Sequence, residues 1–152
     1  MVKPYGAGHY INGLNITGNI FRSIHTVLDR VEAVDTSFAD LDYSRMRNIV
    51  IKGNTFNNIG RSIENPRVMA VEQVGQAQTW TIDCSDVLAF DGYAQNVVAL
   101  VADGKIRNGS NVANFDFPFV SAEQGANNDQ VELDFSEPVS GSMVVTVRMD
   151  NF

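Results

Sequence analysis

The residues of this chain best suited to chemistry are carboxylates gathered in one stretch. Asp29, Glu32 and Asp35 lie there with Arg30 among them, His25 upstream, and Asp40 and Asp42 following. Carboxylates beside a cation can act as general acid and base, or can grip the hydroxyls of a sugar. If the segment is extended, Asp29 shares one face with Val31 while Arg30 and Glu32 share the other. The four then do not converge. The pattern reads as a solvated face followed by a charged loop, with a carbohydrate groove beside the loop as the functional alternative. His25 and His9 have no carboxylate partner fixed by spacing, so neither reads as a general base.

Sugar sites also use aromatic faces flanked by amides and carboxylates. Tyr43, in the polar loop, and Tyr93, beside the turn formers Asp91-Gly92, are the candidates. Trp80 alternates in phase with Ile82 and Cys84 and therefore points into a core. Cys84 reads as a small buried hydrophobe on the same grounds, and a lone cysteine can form no intramolecular disulfide. The two histidines and the cysteine lie far apart and there is no Asp-rich calcium loop, so no metal and no cofactor are expected. The ligand-binding candidates are Asp29, Glu32, Asp35, Tyr43 and Tyr93, and no residue is assigned a catalytic role.

The elements that must position these residues begin with a phrase written twice. Leu14-Asn-Ile-Thr-Gly-Asn-Ile-Phe-Arg-Ser-Ile24 returns, at an offset of 35, within Asn48-Ile-Val-Ile-Lys-Gly-Asn-Thr-Phe-Asn-Asn-Ile59. Leu14 matches Ile49, Ile16 matches Ile51, Gly18 matches Gly53, Asn19 matches Asn54, Phe21 matches Phe56 and Ile24 matches Ile59. Each copy alternates up to a Gly-Asn step and then resumes in a new phase, which describes two short strands around a sharp corner. Neither copy can form a hairpin within itself, so each must pair with the other in parallel, at a spacing of about 4.8 Å. Asn19 then lies under Asn54 as a structural ladder at the corner, where glycine tolerates a left-handed backbone.

This phrase resembles the coil signature of the right-handed parallel β-helix superfamily, that of pectate lyases, polygalacturonases and phage tailspikes. The resemblance covers roughly residues 11–75. It implies a coil of parallel strands whose excess length is a loop at Thr36–Met46. Enzymes of that superfamily use carboxylates on one coil face, in some lyases with calcium. The short approach before the first coil offers no polar cap for its edge, which suggests the C-terminal part of a longer protein.

After Ile59 the phrase stops and separate alternating strands begin. The expected strands are 68–74, 79–84, 96–102, 114–120, 130–135 and 142–149, joined by Gly-, Asn- and Asp-rich turns. Their inward faces read Trp80/Ile82/Cys84, Phe115/Phe117/Phe119, Val131/Leu133/Phe135 and Val145/Val147/Met149. The strand 96–102 is apolar on both faces and wants cover from the end of the β-helix or from a neighbouring subunit. The expected fold is therefore all-β: a short right-handed parallel β-helix over residues 1–76, followed by a small antiparallel β-sandwich over 77–152.

A net charge of −7 without a basic cluster disfavours nucleic acid, and no apolar run reaches the length of a membrane span. The order of coil, then β-rich closing domain, resembles a phage tailspike or fibre. That resemblance implies a homotrimer within a larger spike or virion assembly, virion or extracellular, binding host-surface polysaccharide. The alternatives are a polysaccharide lyase or glycoside hydrolase acting on the coil face, and the C-terminal module of a secreted β-helix enzyme.

Overall fold

A computed structural model of the chain describes residues 1–90 and 92–151. Its regular elements are strands, apart from one 3₁₀ turn at Tyr43–Arg45. The first six strands are the repeat: β1 (Ile11–Asn12), β2 (Asn15–Thr17), β3 (Ile20–Arg22), β4 (Met46–Arg47), β5 (Val50–Lys52) and β6 (Thr55–Asn57). β1 pairs with β4, β2 with β5 and β3 with β6, all parallel, with Ile11 opposite Met46, Ile16 opposite Ile51 and Phe21 opposite Phe56. The expected offset is therefore the register of the fold.

The corners explain why these strands are so short. Gly18 and Gly53 turn the chain at φ of 68° and 66°, a left-handed conformation that a Cβ disfavours. Next to them the Asn19 backbone N–H and Nδ2 both donate to Asn54 Oδ1, at 2.9 and 3.2 Å, and Asn54 Nδ2 donates to the Ile16 carbonyl at 2.9 Å. Phe21 stacks on Phe56 with ring centroids 5.4 Å apart. One expected column is different. Ile24 is exposed, and the residue bridged to Ile59 is Leu28. Four extra residues fit because Asn58 Nδ2 donates to the carbonyls of both Ser23 and Thr26, closing the excursion between them.

The remaining strands form one five-stranded antiparallel sheet: β7 (Arg67–Asp83), β8 (Asn96–Ala102), β9 (Arg107–Asn108), β10 (Phe119–Gln124) and β11 (Gln130–Arg148). β7 follows one edge of β11 along most of its length, while β10, β9 and β8 share the other edge in succession. The segments 68–74 and 79–84 are thus one continuous strand, which crosses residues 76 and 77. Likewise 130–135 and 142–149 both belong to β11, with irregular pairing at 134–141.

The inward faces of β7 and β11 are as expected. Trp80, Ile82, Cys84, Val131, Leu133, Phe135, Val145, Val147 and Met149 are buried in one cluster with Met46, Ile49 and Ile51 of the second repeat copy. Trp80 Nε1 donates to the carbonyls of Ala77 and Val139, so its polar edge is satisfied inside. The phenylalanines are not as expected. Residues 114–118 form no strand, and Phe115, Phe117 and Phe119 face outward. Val98 and Val101 of β8 are also exposed, so the repeat does not cover that strand.

A buried polar cluster welds the two halves. Asp150 is fully buried and accepts from Ile49 N at 2.8 Å, Asn65 Nδ2 at 2.8 Å, and Arg148 Nε and Nη2 at 3.0 and 2.9 Å. Asn65, also fully buried, exchanges backbone hydrogen bonds with Ile51 and accepts from Met149 N. The second repeat copy is therefore held on one side by the first and on the other by Asn65 and the residues at the end of and just after β11.

Candidate functional site

Tyr43 and Tyr93, far apart in sequence, meet in the fold. Their rings stack at 4.3 Å between centroids and 6° between planes. Tyr43 is set by the 3₁₀ turn, whose first N–H groups need an acceptor, and Asp42 supplies it: Oδ1 accepts from Ser44 N and Ser44 Oγ. The Tyr43 hydroxyl then donates to the Phe90 carbonyl. Tyr93 is set by Gly92, at φ 86°, where a Cβ would lie 2.4 Å from Ser85 Cα. Only glycine lets the two backbones approach so closely. Asp91 of the expected turn lies outside the described residues.

Around this pair a cleft of about 550 Å³ is lined by Tyr43, Arg61, Ser85, Tyr93, Asn127 and Asp129. The loop carrying Asn127 and Asp129 is stitched in place by its backbone. Cys84 N donates to the Asp129 carbonyl and Ala94 N to that of Asn128, both at 2.8 Å. Arg61 Nε reaches Asp29 Oδ1 at 3.1 Å and Asp86 Oδ1 at 3.3 Å. With Asp29 and Asp86 on the Arg61 guanidinium and Asp129 lining the same cleft, carboxylates outnumber the one arginine there. Burial pushes the Tyr93 phenol above its ordinary pKa, and the charge of Glu123 adds to the effect.

The carboxylate candidates separate. Asp29 joins this cleft through Arg61. Arg30 touches Glu32, at 3.3 Å, as extended alternation allows, and also Asp29, at 3.8 Å, which alternation would place on the other face. The reason is that residues 29–33 bend instead of forming a strand. The Glu32 side chain is only 8% exposed, with Oε1 near Arg30 and the Phe90 N–H, and Oε2 buried without a protein hydrogen-bond partner. Glu32 lines a second, apolar cavity of about 500 Å³ with Leu14, Phe21, Ile51, Ile63 and Phe90. Asp35 belongs to neither: it pairs with Lys3 at 2.7 Å, and that contact, with Ser37, holds its pKa below the ordinary value.

Of the histidines, His25 is exposed, and His9 links Gly6 to the Asp42 backbone. Cys84 is buried 4.0 Å from Met69 Sδ, and burial pushes its thiol pKa up to about 12, the opposite of a reactive thiol. Among the described residues no group of three or more His, Cys, Asp or Glu could hold a metal ion, and no helix is long and apolar enough to cross a membrane. Arg61, Ser85, Asn127 and Asp129 carried no signal in the sequence beyond their turn-forming neighbourhood. No protein family, no curated protein and no solved structure matches this chain.

Proposed function

We propose that the chain binds a host-surface polysaccharide in the Tyr43–Tyr93 cleft, as the closing part of a homotrimeric spike or fibre on a virion or extracellular surface. The observation that carries the reading is the tyrosine pair ringed by Asn127, Ser85, Arg61 and carboxylates. An aromatic face covers the C–H side of a sugar ring, while amides and carboxylates order its hydroxyls. Asp129 in the lining, with Asp29 and Asp86 paired to Arg61 beside it, favours neutral or amino sugars over acidic ones.

The scaffold in this reading is a right-handed parallel β-helix begun by the repeat strands β1 to β6, closed by a sandwich-like β domain that starts with β7 at Arg67. Its supports are the in-register parallel pairs, the matched left-handed corners and the antiparallel sheet that follows. A second reading, glycoside hydrolysis or polysaccharide lysis, draws on Arg30 between Asp29 and Glu32. It is weaker because Glu32 lines a different cavity from the tyrosines.

The test is binding to a panel of neutral, amino-sugar and acidic polysaccharides by calorimetry. Tyr93→Ala and Arg61→Ala should each weaken binding tenfold or more while leaving the melting curve near that of the wild type. Absence of binding across the panel overturns the reading, and release of reducing ends abolished by Glu32→Gln establishes the enzymatic one. The trimer is tested separately, by a solution mass three times the 16.7 kDa of the chain.

A further inference from the structure

Glu32 is the one charged side chain on the wall of the apolar cavity that it shares with Leu14, Phe21, Ile51, Ile63 and Phe90. The side chain is 8% exposed, and its Oε1 meets Arg30 Nη1 at 3.3 Å and the Phe90 N–H at 3.4 Å. Oε2 is buried and has no hydrogen-bond partner among the described residues. Buried polar atoms are nearly always paired, and an unpaired charged oxygen is the costliest exception. A partnerless carboxylate oxygen on a cavity wall calls for a donor from that cavity.

The neighbouring charges select the kind of donor. Asp86 and Asp29 both meet Arg61 Nε, at 3.3 and 3.1 Å, Asp29 also meets Arg30 at 3.8 Å, and Arg30 meets Glu32. Among the described residues three carboxylates thus alternate with two guanidiniums, leaving the run one positive charge short. Exposure falls along it, from 74% at Asp86 to 14% at Arg30 and 8% at Glu32. The Glu32 end is the least screened by water, so a cation gains most there. The α-ammonium of Met1 does not supply it: Met1 stands on the same wall, but it is 87% exposed and makes no ion pair with Glu32.

We infer that this cavity binds a small apolar molecule bearing a primary ammonium group, the ammonium on Glu32 and the apolar body against Leu14, Phe21, Ile51 and Ile63. An ammonium brings one unit of charge and three donors, and Asn15 and Asn19 on the same wall carry amide oxygens for those that Glu32 does not take. A neutral hydroxyl satisfies Oε2 but leaves the excess of negative charge, and an acid is repelled by it. The wall is set in advance. Ile51 and Ile63 are 1% and 2% exposed and belong to the common core. Phe90 holds φ at 54°, a conformation that a side chain disfavours, and in it the N–H meets Glu32 while the carbonyl takes the Tyr43 hydroxyl. Such preorganisation lowers the cost of binding. The cavity is separate from the tyrosine cleft, so the inference does not rest on polysaccharide binding there.

The test is a ligand-observed NMR titration of the full chain with phenethylammonium, beside 2-phenylethanol, which has a similar shape without the charge. The wild type should bind the ammonium at least about tenfold more tightly than the alcohol, as expected of a charge-assisted bond in a water-poor site. Glu32→Gln keeps an acceptor for the Phe90 N–H and should remove that difference without changing the melting curve. Nuclear Overhauser contacts from the phenyl ring to the methyl groups of Ile51 and Ile63 locate the probe in the wild type alone, which keeps the test valid if the variant fails to fold. Phenylalanine amide, compared at a pH that keeps both probes protonated, separates the sources of the ammonium: tighter binding of the amide assigns a peptide N-terminus, and tighter binding of phenethylammonium a free amine. Equal affinity for ammonium and alcohol, a preference that survives in Glu32→Gln, contacts away from the two isoleucines, or no binding of phenethylammonium each overturn the inference.

Discussion

Replacing Asp150 by alanine removes the acceptor at the centre of the weld between repeat and sheet. The carboxylate takes four hydrogen bonds, from Ile49 N, Asn65 Nδ2, and Arg148 Nε and Nη2, at 2.8–3.0 Å with no solvent exposure. Its loss takes the carboxylate from a guanidinium that is 13% exposed and the acceptor from the buried Ile49 N–H, while Arg148 Nη2 and Asn65 Nδ2 keep their bonds to the Ile49 carbonyl. Removing one partner of a buried pair costs about 3–5 kcal/mol. At about 2–4 °C per kcal/mol for a chain of this size, Asp150→Ala should melt roughly 6–20 °C lower than the wild type. Since a domain of this kind holds only about 5–15 kcal/mol in total, the variant stands near the edge of folding.

The assay is thermal and urea unfolding followed by circular dichroism, with Arg148→Met and the double variant completing a cycle. Because the two residues share one set of bonds, the double variant should cost clearly less than the sum of the singles. A melting point within about 2 °C of the wild type, or strict additivity, would refute the claim that this cluster joins the two halves.

Asn54→Ala removes the corner ladder, but Asn19 is exposed and water replaces part of what is lost. The cost should be about 1 kcal/mol, a melting shift of about 2–4 °C, and a larger loss than that of an exposed control such as Lys52→Ala. Hydrogen bonds from Lys3 to Asp35, from Ser44 to Asp42 and from Ser85 to Asp83 each hold a carboxyl below its usual value of 3.8. Depressed folded values give stability that is present above that pH and lost below it, so the urea midpoint should fall as pH drops through about 4 and lower; a midpoint that rises there contradicts the assignment. Cys84 carries the opposite sign: its folded thiol titrates near 12 against an ordinary 9.0, so stability should decline as pH rises above 9. A disulfide-exchange reagent should label Cys84 only on unfolding, and rapid labelling of the native chain would mean that the thiol is accessible.

What was legible in the sequence was local and periodic. The offset between Gly18 and Gly53 set the strand register, because a corner that only glycine tolerates must recur where the coil recurs. The alternation of Trp80, Ile82 and Cys84 and of Val145, Val147 and Met149 placed those side chains inside, because each strand has one buried face. The alternation of Phe115, Phe117 and Phe119 misled for an instructive reason: the polar residues in the opposite phase, Asn114 and Asp116, bond to Glu137 and Ser136 while the aromatic side chains face outward.

The long-range features left no periodic trace. Nothing local marks Asn65 and Asp150 as buried partners, since their environment comes from segments 85 residues apart. The continuity of β7 through Gly75-Gln76-Ala77, which read as a break, follows from its pairing with β11. At the site, Tyr43 and Tyr93 stood out as aromatics near loops, but their stacking depends on Gly92 passing the Ser85 backbone, a contact the sequence does not announce.

The central claim is that the two repeat copies lie side by side, parallel and in register. It is tested most directly by oxidising Thr17→Cys/Lys52→Cys against Thr17→Cys/Thr55→Cys, all on exposed positions of β2, β5 and β6. Strand neighbours lie about 4.8 Å apart, within the roughly 4.4–6.8 Å between Cα atoms that a disulfide spans. The account predicts fast, intramolecular closure of the first pair and little of the second. A first pair that stays reduced, or a second that closes as readily, would contradict it.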